Sequence, residues 1–177
     1  MASLPQFSSI PLAAWPIGIG FFVTTPLLFG NIGLSLIGPL PIITEQLGTS
    51  GLTKKDKVRV WALFFKAATP YIVSGTILTA ALHTFAAFTT SDKLVRNLSI
   101  ASAISSISII PWTVAAIMPT NTALLKLDEK TELTTQEEAD STKLIKDWDL
   151  KHKVRYVGYG LGWASGLAAL LVIVNGL

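Results

Sequence analysis

Apolar residues run in four long blocks along this chain, and charged residues gather between the blocks rather than inside them. A helix needs about 20 apolar residues to cross a bilayer, and each block supplies that many. The first occupies residues 10–43. It exceeds one crossing and holds Pro16, Pro26, Pro39 and Pro41, which interrupt helical hydrogen bonding. We place its span at about 22–43, with an interfacial or kinked start. The other spans fall at about 60–86, 98–118 and 154–175. Between the third and fourth, Thr134 and Thr135 precede Glu137 and Glu138 by three residues, the reciprocal pattern that opens a helix. No Gly or Pro occurs from there until Gly158, so one helix is expected from about residue 136, through a loop segment at 136–153, into the last span. The fold class is all-α, an integral membrane four-helix bundle, with residues 1–177 as a single four-span domain.

Charge supports this reading and orients it. Charged residues make up 14% of the chain and hydrophobic ones 50%, against about 25% charged in soluble domains. The first charged residue is Glu45. The first and third loops carry ten basic residues and the opposite side only Lys93 and Arg96, so loops one and three face the cytosol and both termini the lumen. The expected location is the endoplasmic reticulum, as a multi-pass protein. Residues 1–10 lack a basic stretch and do not read as a cleaved signal peptide. The net charge of +3 sits in loops and gives no footprint for nucleic acid. The absence of cysteine excludes disulfides, thiolate metal sites and dithiol redox relays.

Candidate chemistry concentrates at the head of the last span. Trp148, His152 and Arg155 are spaced four and three apart and share one helix face. That face continues through Tyr159, Gly162 and Gly166. Small residues let helices approach closely in lipid, and Ser99, Ser102, Ser105, Ser106 and Ser108 in span three, with Gly30, Gly33 and Ser35 in span one, complete such a seam. Most of the serines are expected to bond their own backbone. Pro119 is expected to end the regularity of span three, and Thr120 or Asn121 either to cap a short helix through Leu127 or to project Asn121 towards His152 and Arg155. Trp61 and Lys66 lie near the cytosolic start of span two. His83 lies roughly 30–35 Å further along that span at about 1.5 Å per residue. The two histidines are therefore not expected to share a metal, and neither a metal site nor a bound cofactor is expected.

Pro119-Thr120-Asn121, Leu124-Leu125, and Trp148 followed by His152 and Val154-Arg155 together resemble the DUF1772 family of small four-helix membrane proteins, which includes the fungal anthrone oxygenases. A weaker similarity covers Gly33, Ser35, Pro39, Trp61 and Pro70. The resemblance implies a membrane monooxygenase of polyketide secondary metabolism, in which the enolate of a phenolic, anthrone-like aromatic reacts directly with dioxygen. Such a reaction needs a base, a donor for the developing oxyanion and an apolar pocket. His152 would take the proton, Arg155 would hold the phenolate and Asn121 would orient a carbonyl. Trp148, Thr120, Tyr159, Trp61 and Lys66 would contact the substrate. The partners implied are an apolar aromatic molecule, dioxygen and the lipid bilayer, with a homo-oligomer left open. The same residues would also suit a cyclase or isomerase of a related metabolite, and the charged third loop would suit a non-enzymatic four-span scaffold.

Overall fold

A computed structural model describes residues 10–176 of the chain; the reading of the first ten residues as lacking a leader falls almost wholly outside the described residues. Regular structure among the described residues is helical. The elements are α1 (Ala14–Leu36), α2 (Pro39–Ile43), α3 (Lys54–Thr89), α4 (Lys93–Ile107), α5 (Ile109–Trp112), a π-helical turn (Thr113–Ile117), α6 (Met118–Asp128) and α7 (Thr135–Asn175). Four stretches are long and apolar enough to cross a membrane: Ala14–Ile43, Lys54–Thr89, Lys93–Asp128 and Thr135–Asn175. Large apolar side chains point outward, with Phe22 77% and Phe88 84% exposed. In water such a surface would promote association; in hydrocarbon it meets its own solvent.

Local chemistry explains where these helices begin and bend. α1 starts at Ala14, ahead of the expected span, because Pro16 falls in the first turn, where a missing N–H leaves no bond broken. Gly38 precedes α2, and a side chain there would press to within 2.8 Å of the Leu34 Cα. The loop after α2 turns through Gly48 and Gly51 at φ of 117° and 69°, which glycine adopts without steric penalty. Glu45 and Lys57 pair across this loop at 2.6 Å, and the ammonium holds the Glu45 carboxyl below its ordinary range. The start of α7 is a reciprocal capping box: Glu137 N–H donates to the Thr134 hydroxyl at 3.3 Å, and Thr134 N–H donates to the Glu137 carboxylate at 3.0 Å.

The third long stretch corrects one expectation. Pro119 does not break it, and neither Thr120 nor Asn121 caps the helix through Leu127. Ile117 stands at the head of α6 without a side-chain cap bond. Pro119 cannot donate to the carbonyl four residues back, and its ring would strike that carbonyl in an ordinary α-turn. That carbonyl belongs to Ala115, inside the π-helical turn, where the wider coil relieves the clash. One extra residue in a turn rotates everything beyond it by about 100°, and this sets the direction in which Thr120 and Asn121 point.

The described residues form two compact units. Of the described residues, unit 1 comprises 10–28, 75–108 and 158–176; unit 2 comprises Phe29–Ser74 and Ile109–Val157. Unit 1 is joined by small and hydroxylated residues. Thr24 donates to Thr79 at 3.1 Å, Thr76 and Tyr159 share a hydrogen bond of 2.9 Å, and Ser102 donates to the Gly162 carbonyl at 2.7 Å. The close approach expected of Gly162 and Gly166 is present: a Cβ would stand 2.8 Å from Ser106 Oγ and 2.7 Å from the His83 ring, respectively. Gly30 and Gly33 instead face open space, and the close approach of span one falls at Gly20, where a Cβ would stand 2.3 Å from the His83 ring. Among the serines, Ser108 bonds its own helix, whereas buried Ser99 and Ser106 make no hydrogen bond. Unit 2 is built on larger side chains, with Trp61, Ile117, Leu124, Ile145 and Trp148 at its centre.

Candidate functional site

Unit 2 brings together the residues singled out at the head of the last span. Trp148 on α7 is 3% exposed and His152, one turn on, is 1% exposed. Their rings stack at 4.5 Å between centroids with an angle of 15°. Two aromatic residues of α3 meet the other parts of the indole edge-on, Trp61 and Phe64, each at 5.8 Å. Phe65 stacks on Trp61 at 5.0 Å. The Trp148 indole N–H donates to Asn121 Oδ1 at 2.7 Å, so the π-helical turn that rotates α6 also fixes the tilt of Trp148. Asn121 thus reaches α7 at Trp148, which engages its carbonyl oxygen, and not at His152 or Arg155, the expected targets.

Arg155 is 8% exposed, and its Nη1 lies 3.4 Å from His152 Nδ1. A guanidinium donates and never accepts. The nitrogen it meets therefore carries the lone pair, and the neutral ring bears its proton on Nε2. In this tautomer His152 presents a donor. That Nε2 is buried and makes no hydrogen bond, and the same holds for the indole nitrogen of Trp61. A buried polar group without a partner costs about 1–3 kcal/mol, so two such donors in one aromatic cluster call for an acceptor.

Beside the ring runs a chain of hydroxyls that sequence reasoning does not select. The Tyr156 ring meets His152 edge-on at 5.5 Å. Its one hydroxyl hydrogen is shared between Ser35 Oγ at 2.5 Å and the Asn31 carbonyl oxygen at 2.9 Å. Ser35 donates to Asp149 Oδ1 at 3.1 Å, and Lys153 ties Asp149 Oδ2 at 2.6 Å. Ser35 and Asp149 are buried. Asp149, His152 and Tyr156 succeed one another at spacings of three and four, a signal present in the sequence but masked by the charged residues around it, which suggest a solvated loop face.

The remaining candidates lie elsewhere. The Thr120 hydroxyl donates to Asp147 at 3.2 Å and accepts from Lys151 at 3.2 Å, a partly exposed charged cluster. Lys66 is half-exposed and pairs with buried Asp128 at 2.9 Å, a carboxylate it shares with Arg59. Tyr159 belongs to unit 1, where its hydroxyl meets Thr76. His83 is also in unit 1, fully buried, with the Gly20 backbone against one edge of its ring and Gly166 against the other. Among the described residues, no three of His, Cys, Asp and Glu group in a way that would hold a metal ion.

No curated protein and no solved structure matches this chain. A family model described as anthrone oxygenase matches residues 61–173, which takes in Trp61, Asn121, Trp148, His152 and Arg155 and leaves Ser35 outside. Since that match covers more than half of the 177 residues, the chain belongs to the anthrone oxygenase family, also known as DUF1772.

Proposed function

We propose that the protein is a membrane oxygenase that converts a phenolic, anthrone-like aromatic to the corresponding quinone without a bound cofactor. The observation that carries this reading is the pair of buried donors that make no hydrogen bond, His152 Nε2–H and Trp61 Nε1–H, both on rings packed against Trp148. A flat aromatic ligand would use the indole and phenyl rings as walls, and its oxygen would accept from these donors. Arg155, behind the imidazole, would favour negative charge on that oxygen. Such preorganised donors stabilise an enolate more than its neutral parent. The activated carbon, with two hydrogens, then takes one oxygen atom of dioxygen. The carbon loses four electrons as its CH2 becomes C=O, and dioxygen gains them, leaving as one carbonyl oxygen and one water.

His152 is almost fully enclosed, so access requires neighbouring side chains to move, and Phe64, which packs on Trp148 and is only partly buried, would be one of them. Apolar aromatics and dioxygen both partition into lipid, which favours a membrane location for the reaction. Basic residues in loops one and three favour a cytosolic position for this site in the endoplasmic reticulum, and a protease-accessible C-terminus on sealed microsomes would contradict it. The test of function is oxygen uptake by the purified protein in nanodiscs supplied with an anthrone, with and without a chelator. We expect uptake of one O2 per quinone formed, unaffected by chelation. Uptake no faster than the spontaneous oxidation of the anthrone would overturn the reading.

A further inference from the structure

The chain Tyr156–Ser35–Asp149 has a fixed direction. Asp149 is a carboxylate tied to Lys153 at 2.6 Å, so it only accepts, and the hydrogen in its 3.1 Å contact with Ser35 belongs to the serine. Ser35 has one hydrogen and has used it, so the hydrogen in the Tyr156–Ser35 contact belongs to the tyrosine, which shares it with the Asn31 carbonyl at 2.9 Å. Every link therefore points from the ring side towards the carboxylate. The tyrosine oxygen keeps a lone pair, and its ring lies against the His152 imidazole. Because the Arg155-bound tautomer makes His152 a donor, the aromatic cluster by itself lacks a proton acceptor, and a carbanion reaction needs one.

The geometry points to Tyr156, Ser35 and Asp149 as a proton relay that carries the ionisable proton of a phenolic or enolisable ligand out of the His152 cluster. The proposal rests on the oxygenase reading for its ligand class. In one concerted step the ligand's C–H or O–H bond breaks and leaves its electron pair on the ligand. The tyrosine oxygen takes that proton while its own passes to Ser35, and the serine's own passes to Asp149 Oδ1. Tyr156 and Ser35 end unchanged. Asp149 becomes neutral, and the negative charge it held now resides on the ligand, beside Arg155. Lys153, partly exposed at the outer end, sits where the proton is returned to solvent. Ser35 and Asp149 touch no ligand and act through Tyr156.

The test uses the full-length protein in nanodiscs and two readouts. The first is a dihydroxyanthraquinone, whose visible band moves to longer wavelength when a phenol ionises. Bound to the wild type it should show the ionised band. Tyr156→Phe, Ser35→Ala and Asp149→Asn should bind it within about threefold of wild-type affinity and leave it neutral, while Ser35→Thr, which keeps a hydroxyl, should restore the ionised band. The second is anthrone turnover, where the same three variants should lose about 10²–10⁴-fold in kcat with KM little changed, and Ser35→Thr should recover most of it. A dye ionised equally in Tyr156→Phe and wild type, or neutral or unbound in the wild type, overturns the relay. If the wild type consumes no oxygen but its dye ionisation follows the relay variants, the oxygenase reading falls and the relay stands. If oxygen is consumed and Tyr156→Phe matches the wild type, the relay falls and the oxygenase reading stands.

Discussion

Replacing Asn121 with Leu should destabilise the protein and slow it together, because one hydrogen bond serves both purposes. Asn121 Oδ1 is the acceptor for the Trp148 indole at 2.7 Å, and both residues are buried, at 2% and 3% exposure. Removing the acceptor strands an N–H where water does not reach, which costs about 1–3 kcal/mol. Trp148→Phe removes the donor and leaves a stranded carbonyl of similar cost. The double variant strands neither group, so its hydrogen-bond penalty should nearly vanish, and the two changes should combine to less than their sum by about 1–2 kcal/mol. Denaturant unfolding of the four proteins in one detergent measures this. Turnover reports the second consequence. Trp148 carries the His152 ring on its face at 4.5 Å, and misplacement of a reacting group by about 1 Å costs roughly 10²-fold. Asn121→Leu should therefore lose activity even in its folded fraction, while Asn121→Asp, which keeps an oxygen acceptor, should lose less. Strict additivity of the two changes in stability, with normal turnover in Asn121→Leu, would refute this coupling.

Three other outcomes are expected from the same geometry. His152→Ala should lower kcat by about 10²–10³-fold, and Arg155→Lys should fail to rescue an Arg155→Ala loss, since a flexible, strongly hydrated ammonium does not copy a rigid, weakly hydrated guanidinium at a buried position; steady-state oxygen uptake reads both. His83→Ala empties a fully buried seat between Gly20 and Gly166, so it should lower the unfolding temperature while leaving kcat per folded molecule unchanged; a folded His83→Ala protein without activity would move the site to unit 1. The Glu45–Lys57 pair lowers the carboxyl's folded value, so its stabilisation is present above the unfolded value of about 4.3 and is lost as pH falls through the lower folded one. The stability gap between wild type and Glu45→Gln should accordingly close as pH falls from about 5 through the carboxyl's lower folded value, and a gap that widens on acidification would contradict this sign.

The parts of the fold that depend on solvent and local pattern are legible in the chain. Four apolar runs correspond to four long helices, and Thr134 with Glu137 forms the capping box. Features that depend on helix phase are not. Pro119 reads as a stop because a lone proline in a helix usually is one, and nothing in the local pattern shows that a π-helical turn will absorb it. The phase change then determines that Asn121 meets Trp148 while Thr120 meets Asp147, a difference no spacing rule supplies for adjacent residues. The stack of Trp148 on His152 and the placement of Arg155 accord with their spacing on one helix. Lys66, by contrast, suggests itself for the site only because it begins the same span as Trp61. Five residues on a helix turn through about 140° beyond a full revolution, and Lys66 instead joins Asp128. Ser35 counts in the sequence only as a small residue, since its partners Tyr156 and Asp149 lie more than a hundred positions away.

The tautomer of His152 governs how charge is distributed across these pieces. A buried arginine beside a histidine would ordinarily be read as an anion site for a phosphate or carboxylate. Here the guanidinium meets the lone pair of Nδ1 at 3.4 Å, so it polarises Nε2–H on the far side of the ring, a donor that makes no hydrogen bond. The positive charge is thereby delivered through the imidazole into the aromatic cluster, where the ring stacks on Trp148. Such a position suits a delocalised oxyanion on a flat aromatic better than a small hydrated anion, because the aromatic rings return nothing for the water a phosphate must shed. Asp149 is the local negative charge that must be neutralised before a second one forms, and the hydroxyl chain to Tyr156 is the means by which its neutralisation and the ligand's ionisation become a single event. On this view the total charge of the cluster never changes during proton abstraction; only its location does. That is the condition under which a buried, low-dielectric site forms a carbanion without drawing in water.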